Sequence, residues 1–354
     1  MSVQSQDRAA SKALFTPKSE RAMEFARACP IYTPTDLVQL KENGRLVFIK
    51  DESTRFGLGS FKALGGIYAV AQLLLDKVEQ ETGIRPDMSS LFDDSVRKIA
   101  ATQTYVCASA GNHGMAVATG AQLFGAKARI YISKEVPASF ATRLEERGAE
   151  ACIAGANYEE SLEAANNDVA RSDALLLADG SWEGYLKPPS LVMEGYTVMA
   201  SELRETFAES GTWPTDVYLQ AGVGGMAASV THMIRRDWLV QPRIVIVEPT
   251  AAECLALSAS AGKLVDAAGP VSTMGRLDCK AASLLAFDTL MRCDVEYQSV
   301  TDDEAQVAVE ILGQSGLHST PSGVAGYAAW RKDNEADTTA GQIPLLVMSE
   351  QAIA

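Results

Sequence analysis

The 354-residue chain exceeds the roughly 250 to 300 residues over which one hydrophobic core usually keeps growing, so two lobes are expected. With 47% hydrophobic and 21% charged residues its composition is that of an ordinary globular protein, which excludes a disordered or fibrous chain. Its 31 Lys and Arg against 45 Asp and Glu leave a net charge of −14, a field that repels nucleic acid and obliges any anionic ligand to be held by local devices such as helix N-termini.

The 6 cysteines are scattered without a C-x-x-C pair, and the polar stretch 1–18 lacks an apolar signal core. No metal site is expected. No apolar run reaches the ~18 residues that span a bilayer, so the expectation is a cytoplasmic protein without a membrane partner.

In chain order, short apolar runs rich in β-branched residues predict strands over 46–50, 105–108, 128–132, 151–154, 174–178, 217–220, 244–247 and 345–348. Amphipathic stretches between them predict helices over 61–81, 115–123, 139–148, 158–171, 191–208, 226–236 and 302–314. The alternation implies an α/β fold of mostly parallel sheets flanked by helices. The polar segment 83–104 interrupts the pattern and reads as a surface excursion. The expected division is a discontinuous large domain, 1–70 with 186–354, and a small α/β domain over 71–185.

Three loops carry candidate chemistry. In Ser60-Phe61-Lys62-Ala63-Leu64-Gly65-Gly66 a lysine enters a helix behind Gly57 and Gly59. A cation there opposes the helix dipole, and its apolar flanks also favour the neutral amine that a Schiff base requires. Read locally, the pattern equally fits a lysine that snorkels to solvent. Ser109-Ala110-Gly111-Asn112-His113-Gly114 follows a predicted strand and opens a helix, an arrangement suited to a carboxylate but also to a plain βα turn with a capping serine. Gly222-Val223-Gly224-Gly225 also lies between strand and helix, where converging amides suit a phosphate. A Walker lysine and a G-x-G-x-x-G pattern are both missing, which argues against a nucleotide.

The ordered trio resembles the fold type II, tryptophan-synthase β-like family of pyridoxal-phosphate enzymes. It is most similar to the diaminopropionate ammonia-lyase branch, through Arg55-Phe56-Gly57-Leu58, Phe61-Lys62-Ala63-Leu64-Gly65-Gly66, Gly111-Asn112-His113-Gly114, Trp182-Glu183-Gly184-Tyr185, Gln220-Ala221-Gly222-Val223-Gly224 and Glu248-Pro249. The likeness extends from about Arg55 to Cys279. It implies a two-lobed enzyme, a homodimer by the habit of the family, with pyridoxal 5'-phosphate as cofactor and a small amino acid as substrate. The implied reaction is α,β-elimination of an amino or hydroxyl β-substituent, as from 2,3-diaminopropionate, to a 2-oxo acid and ammonia. Racemases, β-replacement synthases and non-catalytic binding homologues share the scaffold and stay open.

Carried onto this chain, the resemblance has Lys62 bind the cofactor covalently and move the α-proton, while Asn112 bonds the phenolic oxygen. Gly222, Val223, Gly224 and Gly225 would hold the phosphate, and Ser349 would meet the pyridine nitrogen. Ser109, Ala110, Gly111, Asn112 and His113 would receive the substrate carboxylate. Asp179 would assist the leaving group, with a plain turn cap as its other reading. Ala110 departs from the branch, which has an aspartate there that serves D-substrates, so the stereochemical preference stays open. Cys254 and Cys279 match a cysteine pair near the entrance of the ammonia-lyase site, and whether they are bridged is also open. His232 reads as a packing residue, and His318 either approaches the substrate's far end or is incidental.

Overall fold

The computed structural model describes residues 14–109, 111–335 and 341–352. Helix α1 (Ser19–Ala28) leads into an antiparallel hairpin of β1 (Leu37–Glu42) and β2 (Arg45–Asp51). Asn43 and Gly44 turn it with φ of 51° and 79°, the pair of positive values a tight hairpin needs. Strand β1 was not expected from the sequence, because this half-exposed edge strand carries Gln39, Lys41 and Glu42 instead of an apolar run. The Asn-Gly dipeptide was the signal that announced it.

Helix α2 (Lys62–Thr82) follows and ends on Gly83 in the left-handed region, φ 75°. From Ala63 to Leu75 it is buried on every side, which marks a core helix. The segment expected as a surface excursion instead holds a 3-10 turn (Met88–Phe92) and α3 (Asp94–Ala100). Met88, Leu91, Val96 and Ala100 bury themselves in the main core, so four apolar residues spaced along a polar background outweigh its overall polarity.

Next come β3 (Thr104–Ala108), α4 (Asn112–Phe124), β4 (Lys127–Ile132), α5 (Ala138–Glu145), β5 (Glu150–Ile153), α6 (Tyr158–Arg171) and a two-residue β6 (Leu175–Leu176). They build a parallel sheet of order β5-β4-β3-β6. The chain then runs through α7 (Lys187–Ser210), β7 (Asp216–Gln220), α8 (Gly225–Asp237), β8 (Arg243–Pro249), α9 (Cys254–Ala261) and α10 (Leu284–Leu290). It closes with β9 (Glu296–Val300), α11 (Asp302–Gln314), α12 (Ala325–Glu335) and β10 (Pro344–Met348). The larger sheet has the order β1-β2-β10-β7-β8-β9 and is parallel apart from β1. Its central strands β7 and β10 are buried at every residue, which is why they read as unbroken apolar runs. Half-exposed β9, like β1, escaped the sequence reading. A capping box of Thr301 and Glu304 starts α11 at the expected residue.

Helix α2 is wedged between α4 and α7. A Cβ at Gly65 would lie 2.7 Å from Val192 Cγ1 of α7, and one at Gly120 would lie 3.1 Å from the Ile67 Cα. One apolar cluster runs through this contact and joins the helices covering both sheets. The loops after β3, β6, β7 and β10, all at strand carboxyl ends, carry the candidate residues, which is where ligands bind in parallel α/β folds.

Candidate active site

Lys62, the first residue of α2, extends its ammonium to the carboxylate of Asp179, 117 residues further along the chain. The two side chains are 22% and 24% exposed, so the pair is reachable from solvent yet largely desolvated. Burial by itself lowers the pKa of Lys62, but the charge of Asp179, helped by Tyr196 and Cys279, holds it above the ordinary lysine value. Asp179 thus works against the tendency toward a neutral amine that the helix entry and burial give Lys62. Asp179 is shifted the opposite way: burial raises it, and the charges of Lys62 and His113 more than offset that, leaving it below the usual carboxylate range.

Asp179 is held from both sides. Tyr185 Oη donates to the carbonyl of Leu176 at 2.8 Å and accepts from the N–H of Ala178 at 3.0 Å, while its ring stacks on Trp182 with centroids 4.4 Å apart. Past Asp179, the N–H of Ser181 donates to Ser283 Oγ at 3.0 Å, and the N–H of Ser283 donates to the carbonyl of Val223 at 2.9 Å. The acid is thereby tied to the glycine loop. The Trp182-Glu183-Gly184-Tyr185 motif acts here as a clamp on the strand end.

In the second loop, Ser109 Oγ accepts from the N–H groups of Gly111 and Gly114 at 3.3 and 3.1 Å. The sequence left two roles open for this serine, a donor to a ligand and a turn cap. It serves first as an internal cap that shapes the loop, with its single O–H proton left to donate. Asn112 Nδ2 donates to Glu350 Oε2, and the same carboxylate accepts from Thr320 Oγ1. His113 is buried, with Nε2 2.8 Å from the carbonyl of Leu177, and burial lowers its pKa. Ala110 lies outside the described residues.

Gly224, with φ 97°, turns the third loop into α8, whose N-terminus opens at Gly225. A Cβ at Gly222 would come 2.9 Å from Cys279 Sγ, so this position admits no side chain. Cys254 Sγ donates to the Gly222 carbonyl at 3.6 Å. Both cysteines flank this glycine as free thiols, and burial pushes Cys279 up to about 11. Ser349 follows β10, buried, with its backbone bonded to Gly323 and Phe61. His232 packs edge-on against Phe15 at 5.5 Å, and His318 is exposed on the loop after α11.

Sequence reasoning missed Tyr196, Glu350, Thr320 and Arg276. Tyr196 is an apolar-face residue of α7 by pattern, yet its buried hydroxyl beside Lys62 makes no hydrogen bond of acceptable geometry. Glu350 directly follows the buried Ser349 at the end of β10, with no sequence pattern of its own to mark it.

These features fit pyridoxal phosphate. A reachable lysine stands at a helix entry. A glycine cradle that excludes a Cβ sits at a second helix N-terminus, as an anion requires. Tyr196 Oη and His113 Nδ1 are buried polar atoms without a hydrogen-bond partner among the described residues. Such a two-sheet α/β architecture with a lysine and a phosphate cradle at its strand ends defines a fold type II cofactor enzyme. Residues 29–349 match the pyridoxal-phosphate dependent enzyme family, and the chain belongs to it.

Among curated relatives, diaminopropionate ammonia-lyase of Escherichia coli (strain K12) is 33% identical over 304 residues, covering 84% of this chain and 75% of the relative. The L-serine dehydratase/L-threonine deaminase of Homo sapiens is 28% identical over 208 residues, 58% of this chain and 60% of that one. The crystal structure of the Escherichia coli ammonia-lyase in complex with an aminoacrylate-PLP azomethine reaction intermediate superposes with a TM-score of 0.82 at 28% identity, covering 97% and 91% of the two chains. No helix among the described residues is long and apolar enough to cross a membrane.

Proposed function

We propose that the chain eliminates a β-amino or β-hydroxyl group from a small amino acid, with 2,3-diaminopropionate the foremost substrate, and releases a 2-oxo acid and ammonia. The observation that carries this reading is the Lys62–Asp179 contact, which joins the residue able to take an α-proton to an acid able to serve a leaving group. Bound pyridoxal phosphate supplies the electron sink for the carbanion. Gly222, Val223, Gly224 and Gly225 would anchor its phosphate, with Ser349 and Asn112 at its ring.

The substrate's carboxylate would rest on the amides of the loop from Ser109 to His113. Once Lys62 carries no charge, Asp179 loses its cationic partner and its affinity for a proton rises. It can then hold a proton at the departing nitrogen or oxygen, while the Lys62 amine removes the α-proton. The enamine released rearranges and hydrolyses in water. We further infer that residues 71–185 form the small domain and 1–70 with 186–354 the large one, and that the enzyme works as a cytoplasmic homodimer.

The test is 2-oxo acid formation by the purified holoenzyme from 2,3-diaminopropionate, serine, threonine and 3-hydroxyaspartate. The expected result is oxo acid with two equivalents of ammonia from 2,3-diaminopropionate and one from each hydroxy amino acid, fastest from 2,3-diaminopropionate. Epimerised amino acid without oxo acid would identify a racemase, and turnover only with a second nucleophile a β-replacement synthase. Protein that stays colourless with added cofactor would leave only a binding homologue.

A further inference from the structure

The carboxylate loop is approached by a cation from a distant part of the chain. Between α9 and α10 the backbone crosses the glycine loop so closely that a Cβ at Gly222 would lie 3.0 Å from the Arg276 carbonyl oxygen. The N–H of Arg276 donates to Ser322 Oγ at 3.1 Å, which holds its backbone in place. From there the side chain reaches across to the second loop, where a Cβ on Gly111 would meet Nη1 at 2.9 Å and Cζ at 3.2 Å. The guanidinium thus lies against Gly111, with Nε 3.7 Å from Glu350 Oε2. Glu350 is buried and accepts from Asn112 and Thr320, so its negative charge is held in place beside the guanidinium and the loop.

Charge gives this placement a purpose. A substrate carboxylate entering here meets a chain of net charge −14, with Asp179 and Glu350 at the pocket. Lys62 already spends its charge on Asp179 and would be committed to the cofactor when that is bound. Arg276 offers the planar fork of N–H donors that matches a carboxylate. Gly111 is what lets it come so near, since any side chain there would displace the guanidinium.

We propose that Arg276 recognises a carboxylate of the substrate, either the α-carboxylate seated on the loop or a second carboxylate on Cβ. The proposal rests on the reading of this site as an amino-acid lyase. It is tested with R276Q and R276K holoenzymes on 2,3-diaminopropionate, serine and 3-hydroxyaspartate, after circular dichroism has shown both variants folded. Loss of a charge-assisted hydrogen bond should raise KM by about tenfold to a hundredfold in R276Q with kcat nearly unchanged, and R276K should recover part of the loss. A rise for all three substrates assigns the α-carboxylate, and a rise for 3-hydroxyaspartate alone assigns the second carboxylate. Unchanged KM, or a fall in kcat at constant KM, overturns the proposal. Absorbance titration of each holoenzyme with L-alanine and L-aspartate reads binding without elimination. If the parent enzyme turns nothing over, the lyase reading fails by itself, and equal affinities of parent and R276Q for both amino acids would separately overturn the role of Arg276.

Discussion

Two buried ionic clusters flank the start of α2, and they differ in how fully their charges are met. In the first, Arg55 donates to Glu52 at 2.8 and 2.7 Å and to Glu202 at 2.7 and 2.8 Å, while Lys50 adds a 2.6 Å bond to Glu202. Tyr32 and Thr35 supply further hydroxyl donors, and Arg55 is wholly shielded from water. Two cations meet two anions, and the turn Arg55–Gly57 that precedes Lys62 is locked by them. In the second, Lys62 and Asp179 have each other, remain a quarter exposed, and lie near a tyrosine hydroxyl and an imidazole nitrogen that bond to nothing described. A closed network holds a shape, whereas a charge pair with unmet neighbours has room for a ligand.

Breaking the open pair should cost activity, and breaking the closed one should cost stability. The largest effect is expected from Lys62→Ala, which should reduce turnover by at least about 10⁴-fold and abolish the absorbance near about 410 nm that marks the lysine-linked cofactor. A retained band would remove Lys62 from the assignment. Asp179→Asn keeps the shape but not the charge, and should lower kcat by about 10² to 10⁴-fold while leaving the cofactor bound. Unchanged kcat would reduce Asp179 to a counter-ion.

In the closed network, Glu202→Gln leaves Arg55 and Lys50 short of a counter-charge in a dry site. Urea denaturation should show a loss of about 3 to 5 kcal/mol, with kcat of the folded fraction little altered. An equal loss of kcat and stability would erase the distinction between the clusters.

The smallest effect concerns Glu248, which belongs to neither cluster. Its carboxylate accepts from the N–H groups of Leu255 and Ala256, both at 2.8 Å, and burial pushes its pKa up to about 7. Its folded pKa therefore lies above the unfolded value of about 4.3, so the native state binds the extra proton between those limits. Its contribution is complete at low pH and fades as pH rises from about 4.5 through 7, by no more than about 3 kcal/mol. Denaturant midpoints across that range should decline in the parent and flatten in Glu248→Gln.

The parallel strands were legible because β7, β8 and β10 are buried nearly throughout and so are written as continuous apolar runs. Edge strands β1 and β9 were not, since only part of each side-chain row meets the core. The glycine turns of the three candidate loops were legible too, because glycine at a tight turn or a close backbone approach is a local requirement of backbone geometry. Tyr196, Glu350 and Arg276 left no such trace. They reach the site from α7, from the end of β10 and from the crossing segment after α9, and no local pattern separates them from ordinary core or surface residues.

Sequence alone settled the buried parallel strands, the amphipathic helices between them and the glycine turns that join them, since these depend on neighbours a few residues away. Tertiary structure decided what stands opposite Lys62. Helix entry and apolar flanks favour a neutral amine, and one carboxylate 117 residues distant works against them, because an opposite charge at contact raises the lysine pKa where burial alone would lower it.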